Sequence, residues 1–431
     1  MPAAGIGKAP AVRRDVVTTF ACFTLSGVFA GSWFSRIPAV RDHLDADLRT
    51  MGIVLLCFGL GSFCSMPFGG RLNLRFGSRA VCTTSAVVTC VVMPVLTFVT
   101  DAVVFGAVLF VAGAMFGMWE VTLNVHGAAV EKAGGTTIMS ALHGFWSGGL
   151  ILGSASGALL ASHAVGLATH FVVVFPMLAL LNGLAASYWR DYHPHQSDVS
   201  DDGAATASGK RARRLPIGPA VTVPIILIAA MTLCSNVGEG SASDWLALYV
   251  HDERGFAAGS AAAVYTVYTV ALTIGRLGGS FVIGRLGRVR TLRIAGIVSA
   301  IGVGITLTLP GGAGPFIGAG VWGLGLAVVF PAAISAASDH GGDNAAGAIA
   351  AVSTMAYGAF LVGPPLIGLL AQSLSIGAAL RVVLVLALGI SVLAFAAAPP
   401  RKPRTPAHAD AGVDGAGAAG QPVGVTTPAG N

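Results

Sequence analysis

Apolar runs of about twenty residues or more fill this chain, and short polar breaks separate them. The runs do not alternate apolar with polar positions, which removes the strands of a membrane barrel. Helices remain, because a segment in hydrocarbon must satisfy its own backbone N–H and C=O groups. Cutting at the breaks predicts about twelve spans. The first run, 16–40, closes its helix in Trp33-Phe34-Ser35-Arg36-Ile37-Pro38, and 41–50 reads as a loop. Helices follow at 51–70, 80–99, 102–130, 138–162 and 169–189, then at 217–249, 257–284, 292–309, 316–338, 346–371 and 376–398. Residues 131–135 read as a turn, and Gly363-Pro364-Pro365 as a kink in the eleventh helix.

The breaks divide the chain unevenly. Residues 190–215 are polar and end in Lys210-Arg211-Ala212-Arg213-Arg214, a linker between two six-helix halves at 15–189 and 216–398. The N-terminal segment 1–14 is basic, and the tail 399–431 lacks the apolar content to order itself. Within the linker, His193-Pro194-His195 is too sparse to define a metal site.

Composition agrees with the pattern. The chain has 431 residues, 54% hydrophobic and only 10% charged. Soluble domains carry about 25% charged residues. The fold class is therefore all-α integral membrane, with the lipid bilayer as solvent. Of 25 Lys and Arg residues, 19 fall in segments on the side of the N-terminus, so both termini are placed in the cytoplasm of a bacterial inner membrane. Arg13-Arg14 marks that side rather than a cleaved signal, because the apolar run after it is too long. The six cysteines lie inside spans and read as small buried hydrophobes. No G-x-x-x-x-G-K-[ST], H-E-x-x-H or G-x-S-x-G is present, which argues against an ATP site, an enzyme site, a metal and any cofactor. Nothing points to nucleic acid.

Chemistry concentrates in 113–157, where an acid, an asparagine and two histidines interrupt apolar sequence. An ionisable group at membrane depth costs at least ~2.5 kcal/mol. At 100° per residue, Gly113, Gly117, Glu120, Asn124 and Gly127 fall within about 40° of one line. Glu120 is either a group that loads and releases a proton or the fixed partner of an arginine such as Arg276. Thr232, Asn236, Glu239 and Ser243 make a similar stripe in the seventh helix, with Glu239 as a second proton-coupling candidate. Asp244-Trp245 reads as gate or interfacial anchor. His143 is a substrate contact, a proton relay or a core histidine. Arg276 sits too deep in its helix to reach the interface easily; it pairs with a buried acid or binds an anionic substrate. Trp146, Trp322 and Tyr357 are cavity walls or core. Arg36 either lines the outer mouth of a cavity or snorkels to the interface. Gly149, Gly153, Gly157 and Ala161 form a small-residue ridge for close helix packing.

The two halves repeat. Gly70-Arg71-Leu72-Asn73-Leu74-Arg75-Phe76-Gly77-Ser78-Arg79 follows the second helix, and Arg285-Leu286-Gly287-Arg288 follows the eighth. This resembles the major facilitator superfamily, whose signature there is G-x-x-x-D-R-x-G-R-R. In the family that acid helps latch the cytoplasmic ends of the halves together; here its place is taken by Leu74 in the first copy and Gly284 in the second. Glu131 and Asp339, at matching helix ends, either replace it by pairing with Arg71 or Arg75 and with Arg285 or Arg288, or are solvated helix-end charges. Arg75, Gly77, Arg79, Glu131, Arg285, Gly287, Arg288 and Asp339 are thus the expected gate-loop residues.

Helices 4 and 5 are similar to the fucose-permease branch, through Glu120-Val121-Thr122-Leu123-Asn124 and Leu142-His143-Gly144-Phe145-Trp146-Ser147-Gly148-Gly149. The resemblance implies a proton-coupling glutamate and a cavity lined by helices 1, 4, 7 and 10. It implies a secondary transporter for a small polar solute, acting as a monomer with protons as co-substrate. Asn124, His143, Trp146, Asn236, Arg276 and Tyr357 are the expected substrate contacts. The branch's helix-1 acid has no counterpart in 16–33. An exporter of the same fold and a non-transporting membrane sensor are the alternatives.

Overall fold

The structure, a computed structural model, describes residues 10–135, 137–190 and 222–400. The expected linker beyond Arg190 and the tail beyond Pro400 lie outside those residues, as do most of the N-terminal segment and the His193–His195 pair. Among the described residues, twelve helices are long and apolar enough to cross a membrane. In chain order the first half holds α1 (Pro10–Phe34), α2 (Ile37–Leu44), α3 (Leu48–Phe76), α4 (Ser78–Leu96), α5 (Ala102–Gly134), α6 (Met139–Ser162) and α7 (Leu167–Ser187). The second half holds α8 (Val223–Ser241), α9 (Ala247–Asp252), α10 (Ala258–Leu286), α11 (Arg288–Thr308), α12 (Ala313–Leu326), α13 (Val329–Gly341), α14 (Ala345–Ser373) and α15 (Ile376–Leu393). A π-helical turn, Ala242–Leu246, joins α8 to α9 within the seventh span. A break at Ala327 and Val328 divides the tenth span into α12 and α13.

Helix ends depart from the hydropathy pattern in a consistent way. The expected loop at 41–50 is divided between the end of a short helix, α2, and the start of α3; Pro38 lies in the first turn of α2, where a missing N–H costs nothing. Asp45 (φ 46°) ends α2, and Asp47 Oδ1 starts α3 by accepting from Thr50 N at 2.7 Å. That bond holds the Asp47 carboxylate below its usual pKa. Helix α3 continues past Gly70 through the basic residues to Phe76, and α5 continues through the expected turn to Gly134. Hydropathy marks where a helix leaves hydrocarbon, not where its hydrogen bonds stop. The repeat is preserved in backbone shape: Gly77 (φ 81°, ψ 150°) ends α3, and Gly287 (φ 78°, ψ 153°) ends α10. Positive φ at both turns is why glycine stands there.

Packing rests on glycine ridges. Lipid removes the hydrophobic drive between helices, so close van der Waals approach must hold them. A Cβ on Gly149 would lie 2.1 Å from Thr24 O, and one on Gly153 2.2 Å from Val28 O. The match is reciprocal, since a Cβ on Gly27 would lie 2.1 Å from Trp146 O and one on Gly31 2.2 Å from Leu150 O. Helices α1 and α6 thus touch backbone to backbone. Gly61 and Gly113 do the same between α3 and α5, and Gly302 and Gly318 between α11 and α12. Phe29, Trp119 and Phe175, all fully buried, fill the centre of the first half.

The halves meet at one end. Arg41 pairs with Asp252, His251 Nε2 lies 4.0 Å from Asp42 Oδ2, and Arg49 N donates to Gln372 Oε1 at 3.4 Å. A Cβ on Gly52 would lie 2.9 Å from Pro364 O, and one on Gly259 2.6 Å from Ser162 N. Phe34 and Tyr265 stack edge-on at 6.2 Å. These polar links between the halves gather at this end, opposite the basic α3–α4 and α10–α11 turns. The halves are thus closed on each other at the end opposite the basic turns.

The ridge gives a direct test. Gly153→Leu forces a side chain into the α1 backbone and is expected to cost at least about 1–3 kcal/mol. It should lower the unfolding temperature in detergent, whereas Gly144→Ala, with nothing within 4 Å of the added Cβ, should leave it unchanged or slightly raised. Equal melting of the two variants would contradict the packing.

Candidate functional site

Glu120 projects from α5 toward α1 and α6. Ser26 Oγ of α1 bonds Glu120 Oε1 directly. Trp146 Nε1 of α6 donates to Glu120 Oε1 at 3.3 Å and to Ser26 Oγ at 3.3 Å. Three helices therefore converge on one carboxylate, using neutral donors. Among the described residues no cation pairs with it, and Arg276, the expected alternative partner, is engaged elsewhere. A carboxylate in this position has one local way to lose its charge, which is to take a proton. The stripe around it is shared out among neighbours. Gly113 and Gly117 pack on Phe58 and Ser62 of α3, and Gly127 packs on Leu142 and Met139. Asn124 Nδ2 donates to Glu120 O at 2.8 Å within α5.

Glu239, the second proton-coupling candidate, differs in kind. Arg276 Nη2 of α10 donates to Glu239 Oε1 at 2.8 Å and Oε2 at 2.9 Å. The pair is mutually neutralised and ties α8 to α10. Asn236 also turns away from an open cavity: it is 6% exposed, and its Nδ2 donates to Ala356 O of α14 at 3.2 Å. Trp322 is fully buried against Tyr268, with ring centroids 5.5 Å apart, and is core rather than cavity wall. Trp245 is fully buried too, with Gly368 of α14 beside its ring, so it belongs to the closed end and is not a lipid anchor.

The remaining candidates include exposed side chains. His143 is exposed, with its ring edge-on to Phe23 at 5.7 Å and Arg276 within electrostatic reach. Tyr357 of α14 is 45% exposed. Phe145 is 54% exposed beside Trp146. The site thus joins aromatic faces, an imidazole, a tyrosine hydroxyl, one uncompensated acid and one ion pair. Among the described residues no cluster of ligating side chains suits a metal ion.

The gate-loop residues separate into two arrangements. Arg288 Nη2 lies 2.7 Å from Asp339 Oδ2 and also donates to Ser335 Oγ at 3.0 Å, all within the second half. Glu131 does not mirror Asp339. Its Oε2 accepts from Ile138 N at 2.6 Å and Met139 N at 2.8 Å, capping the start of α6. Arg75 covers the Phe76 ring at 5.0 Å, Arg285 covers Phe281 at 4.2 Å, and Arg79 stands at the exposed start of α4. Neither acid joins one half to the other.

Sequence reasoning missed Ser26. The only signal for it is its spacing of seven from Thr19, which puts two fully buried hydroxyls on one face of α1. It also missed Asp15, fully buried one residue before the apolar run, with Arg190 Nε 3.9 Å from its Oδ2. An acid flanking Arg13-Arg14 reads as solvated until the end of α7 is brought beside it.

The chain is similar to known proteins along most of its length. The family model of the Major Facilitator Superfamily matches residues 18–359. An uncharacterized transporter of Sinorhizobium fredii is 32% identical over 86% of this chain and 95% of its own length. An uncharacterized MFS-type transporter of Yersinia pestis is 29% identical over 90% and 96%. Membrane protein MosC of Rhizobium meliloti is 25% identical over 91% and 92%. Among solved structures, the nucleoside transporter NupG superposes with a TM-score of 0.66 at 14% identity, over 90% of this chain and 98% of its own. A single-residue variant of the fucose:proton symporter FucP of E. coli gives 0.59 at 15% identity, over 91% and 100%. Twelve spans in two repeated halves, glycine-ended basic turns at matching points and a family match across most of the length make this chain a member of the major facilitator superfamily.

Proposed function

We propose that the chain is a secondary active transporter that moves a small, polar, uncharged solute by alternating access, with a proton carried on Glu120. The observation that carries this reading is the contrast between Glu120 and Glu239. Glu239 already holds a cation, while Glu120 is held by a hydroxyl and an indole N–H without one. A group that is neutralised only by a proton ties its occupancy to the water it meets as the cavity changes sides. The basic residues orient the molecule. Arg71, Arg75, Arg79, Arg285, Arg288, Arg290 and Arg293 cluster at the open end, which is therefore cytoplasmic, and the closed end is external. The structure is then the inward-open member of the cycle, with its linker and both termini inside the cell.

The solute class follows from what surrounds the acid. Trp146, Phe145 and Tyr357 offer ring faces on which a sugar or a base stacks, and His143 offers a polar contact. Arg276, already satisfied by Glu239, does not call for an anionic solute. Two solved structures of similar fold are a nucleoside transporter and a fucose:proton symporter, and both solute types fit these groups. Asn236 takes no part, since it holds α8 against α14.

In proteoliposomes, Glu120→Gln is expected to abolish accumulation driven by a pH gradient while sparing counterflow exchange of the same solute. Full pH-driven accumulation by that variant would falsify the coupling. The ion pair has its own test. Glu239→Gln leaves Arg276 without its acid and should destabilise the protein by about 1–3 kcal/mol, less than for a fully buried pair because both side chains reach the cavity. The double variant Glu239→Gln with Arg276→Met should recover most of the unfolding temperature. Additive losses in the double variant would show that the pair is not a unit.

A further inference from the structure

A hydroxyl inside a helix ordinarily bonds back to a carbonyl three or four residues earlier. Thr18, Thr19 and Thr24 of α1 do so, reaching the carbonyls of Arg14, Asp15 and Phe20. Ser26 does not. It is fully buried, and its hydroxyl crosses to α5 and donates to Glu120 Oε1. The indole N–H groups show a similar contrast. Those of Trp119, Trp189, Trp245 and Trp322 are buried without a hydrogen-bond partner. Trp146 directs its own to Glu120 Oε1 and Ser26 Oγ, each at 3.3 Å.

Backbone contact fixes the two donors relative to each other. Gly27 follows Ser26, and a Cβ there would lie 2.1 Å from the carbonyl oxygen of Trp146. A Cβ on Gly149, one turn beyond Trp146, would lie 2.1 Å from Thr24 O. Helices α1 and α6 therefore set the spacing of hydroxyl and indole before the acid arrives. Glu120 comes from α5, whose Gly127 meets these two helices through the side chains of Phe23, Leu142 and Met139. Both donors end on the same carboxylate oxygen. No described residue donates to Oε2, and that oxygen is not sealed from solvent. The two oxygens of one acid thus have different surroundings.

We propose that Ser26 is a positioning residue of the coupling site: with Trp146 it pins Glu120 Oε1, and Oε2 is the oxygen that takes up and releases the proton. This rests on the reading of Glu120 as the proton carrier. On loading, a proton from water forms an O–H bond at Oε2, and Oε1 becomes the carbonyl oxygen, still accepting from Ser26. On release that O–H bond breaks, the proton returns to water, and the negative charge spreads over both oxygens. A donor to Oε1 stabilises the charged carboxylate more than the neutral acid, so Ser26 governs how readily the proton leaves.

The test is an infrared titration of the purified full chain, which needs no solute. Ser26→Ala removes one donor and little volume. Its protonated-carboxyl C=O band should move to higher wavenumber, because the carbonyl accepts one bond fewer. The variant should also hold its proton about tenfold more tightly, so that the band is half-formed at a higher pH. Ser26→Thr restores a hydroxyl and should bring both readings back toward the wild type. Thr24→Ala removes a hydroxyl that bonds its own helix and should move neither. Trp146→Phe, which deletes the other donor, should shift both readings in the same direction and decides the matter if Ser26→Ala does not fold. Suppose Glu120→Gln lacks the band, yet Ser26→Ala and Trp146→Phe match the wild type in wavenumber and midpoint. The role of Ser26 is then overturned while Glu120 remains the proton carrier. A band that persists in Glu120→Gln would instead remove the reading on which the proposal rests.

Discussion

A charge inside a bilayer must be paired, protonated or led to water, and this constraint organises the protein. Each way of meeting it leaves a different mark. Glu239 is paired with Arg276 across two helices, and Asp339 is paired with Arg288 at the basic end. Glu131 commits its carboxylate to backbone donors at the start of α6. Glu120 has neither cation nor backbone donors, only Ser26 and Trp146. Of these four acids it is the one whose charge state the surrounding helices leave open, which is what a proton-coupled cycle needs.

The scaffold makes that open choice consequential. Glycine ridges bring α1 against α6 and α3 against α5 at backbone contact, so Ser26, Trp146 and Glu120 are carried on helices with little freedom to slide. Each half is thereby stiffened, and the looser contacts are those where the halves touch. Those contacts are small residues and exposed ion pairs: Gly52 against Pro364, Gly259 against Ser162, Arg41 with Asp252. Exposed pairs contribute about 0–1 kcal/mol each, so the closed end can part without a large penalty.

Much of this was legible before any coordinates. Hydrocarbon thickness imposes one length on every span, so counting apolar runs finds all twelve. Gly149, Gly153 and Gly157 announce a close helix contact by their spacing, and Gly77 and Gly287 announce matching turns. Glu120 stands out because a charged residue is so rare within an apolar run. What could not be read was pairing. Which of two acids meets Arg276 depends on the rotation of α8 and α10, which hydropathy does not encode. Glu131 and Asp339 look alike along the chain yet bond to different chemistry, because the first faces free N–H groups and the second an arginine. Helix α2 was hidden by its polar residues, since hydropathy weighs side chains while a helix is held by its backbone.

The central claim is that Glu120, and not Glu239, exchanges the proton, and it can be tested without knowing the solute. Infrared difference spectra of the purified protein, recorded as pH is stepped, report the C=O stretch of a protonated carboxyl group. The wild type and Glu239→Gln should both show a band that titrates, and Glu120→Gln should lack it. A titrating band that survives in Glu120→Gln and disappears in Glu239→Gln would place the proton on the other acid and contradict the account.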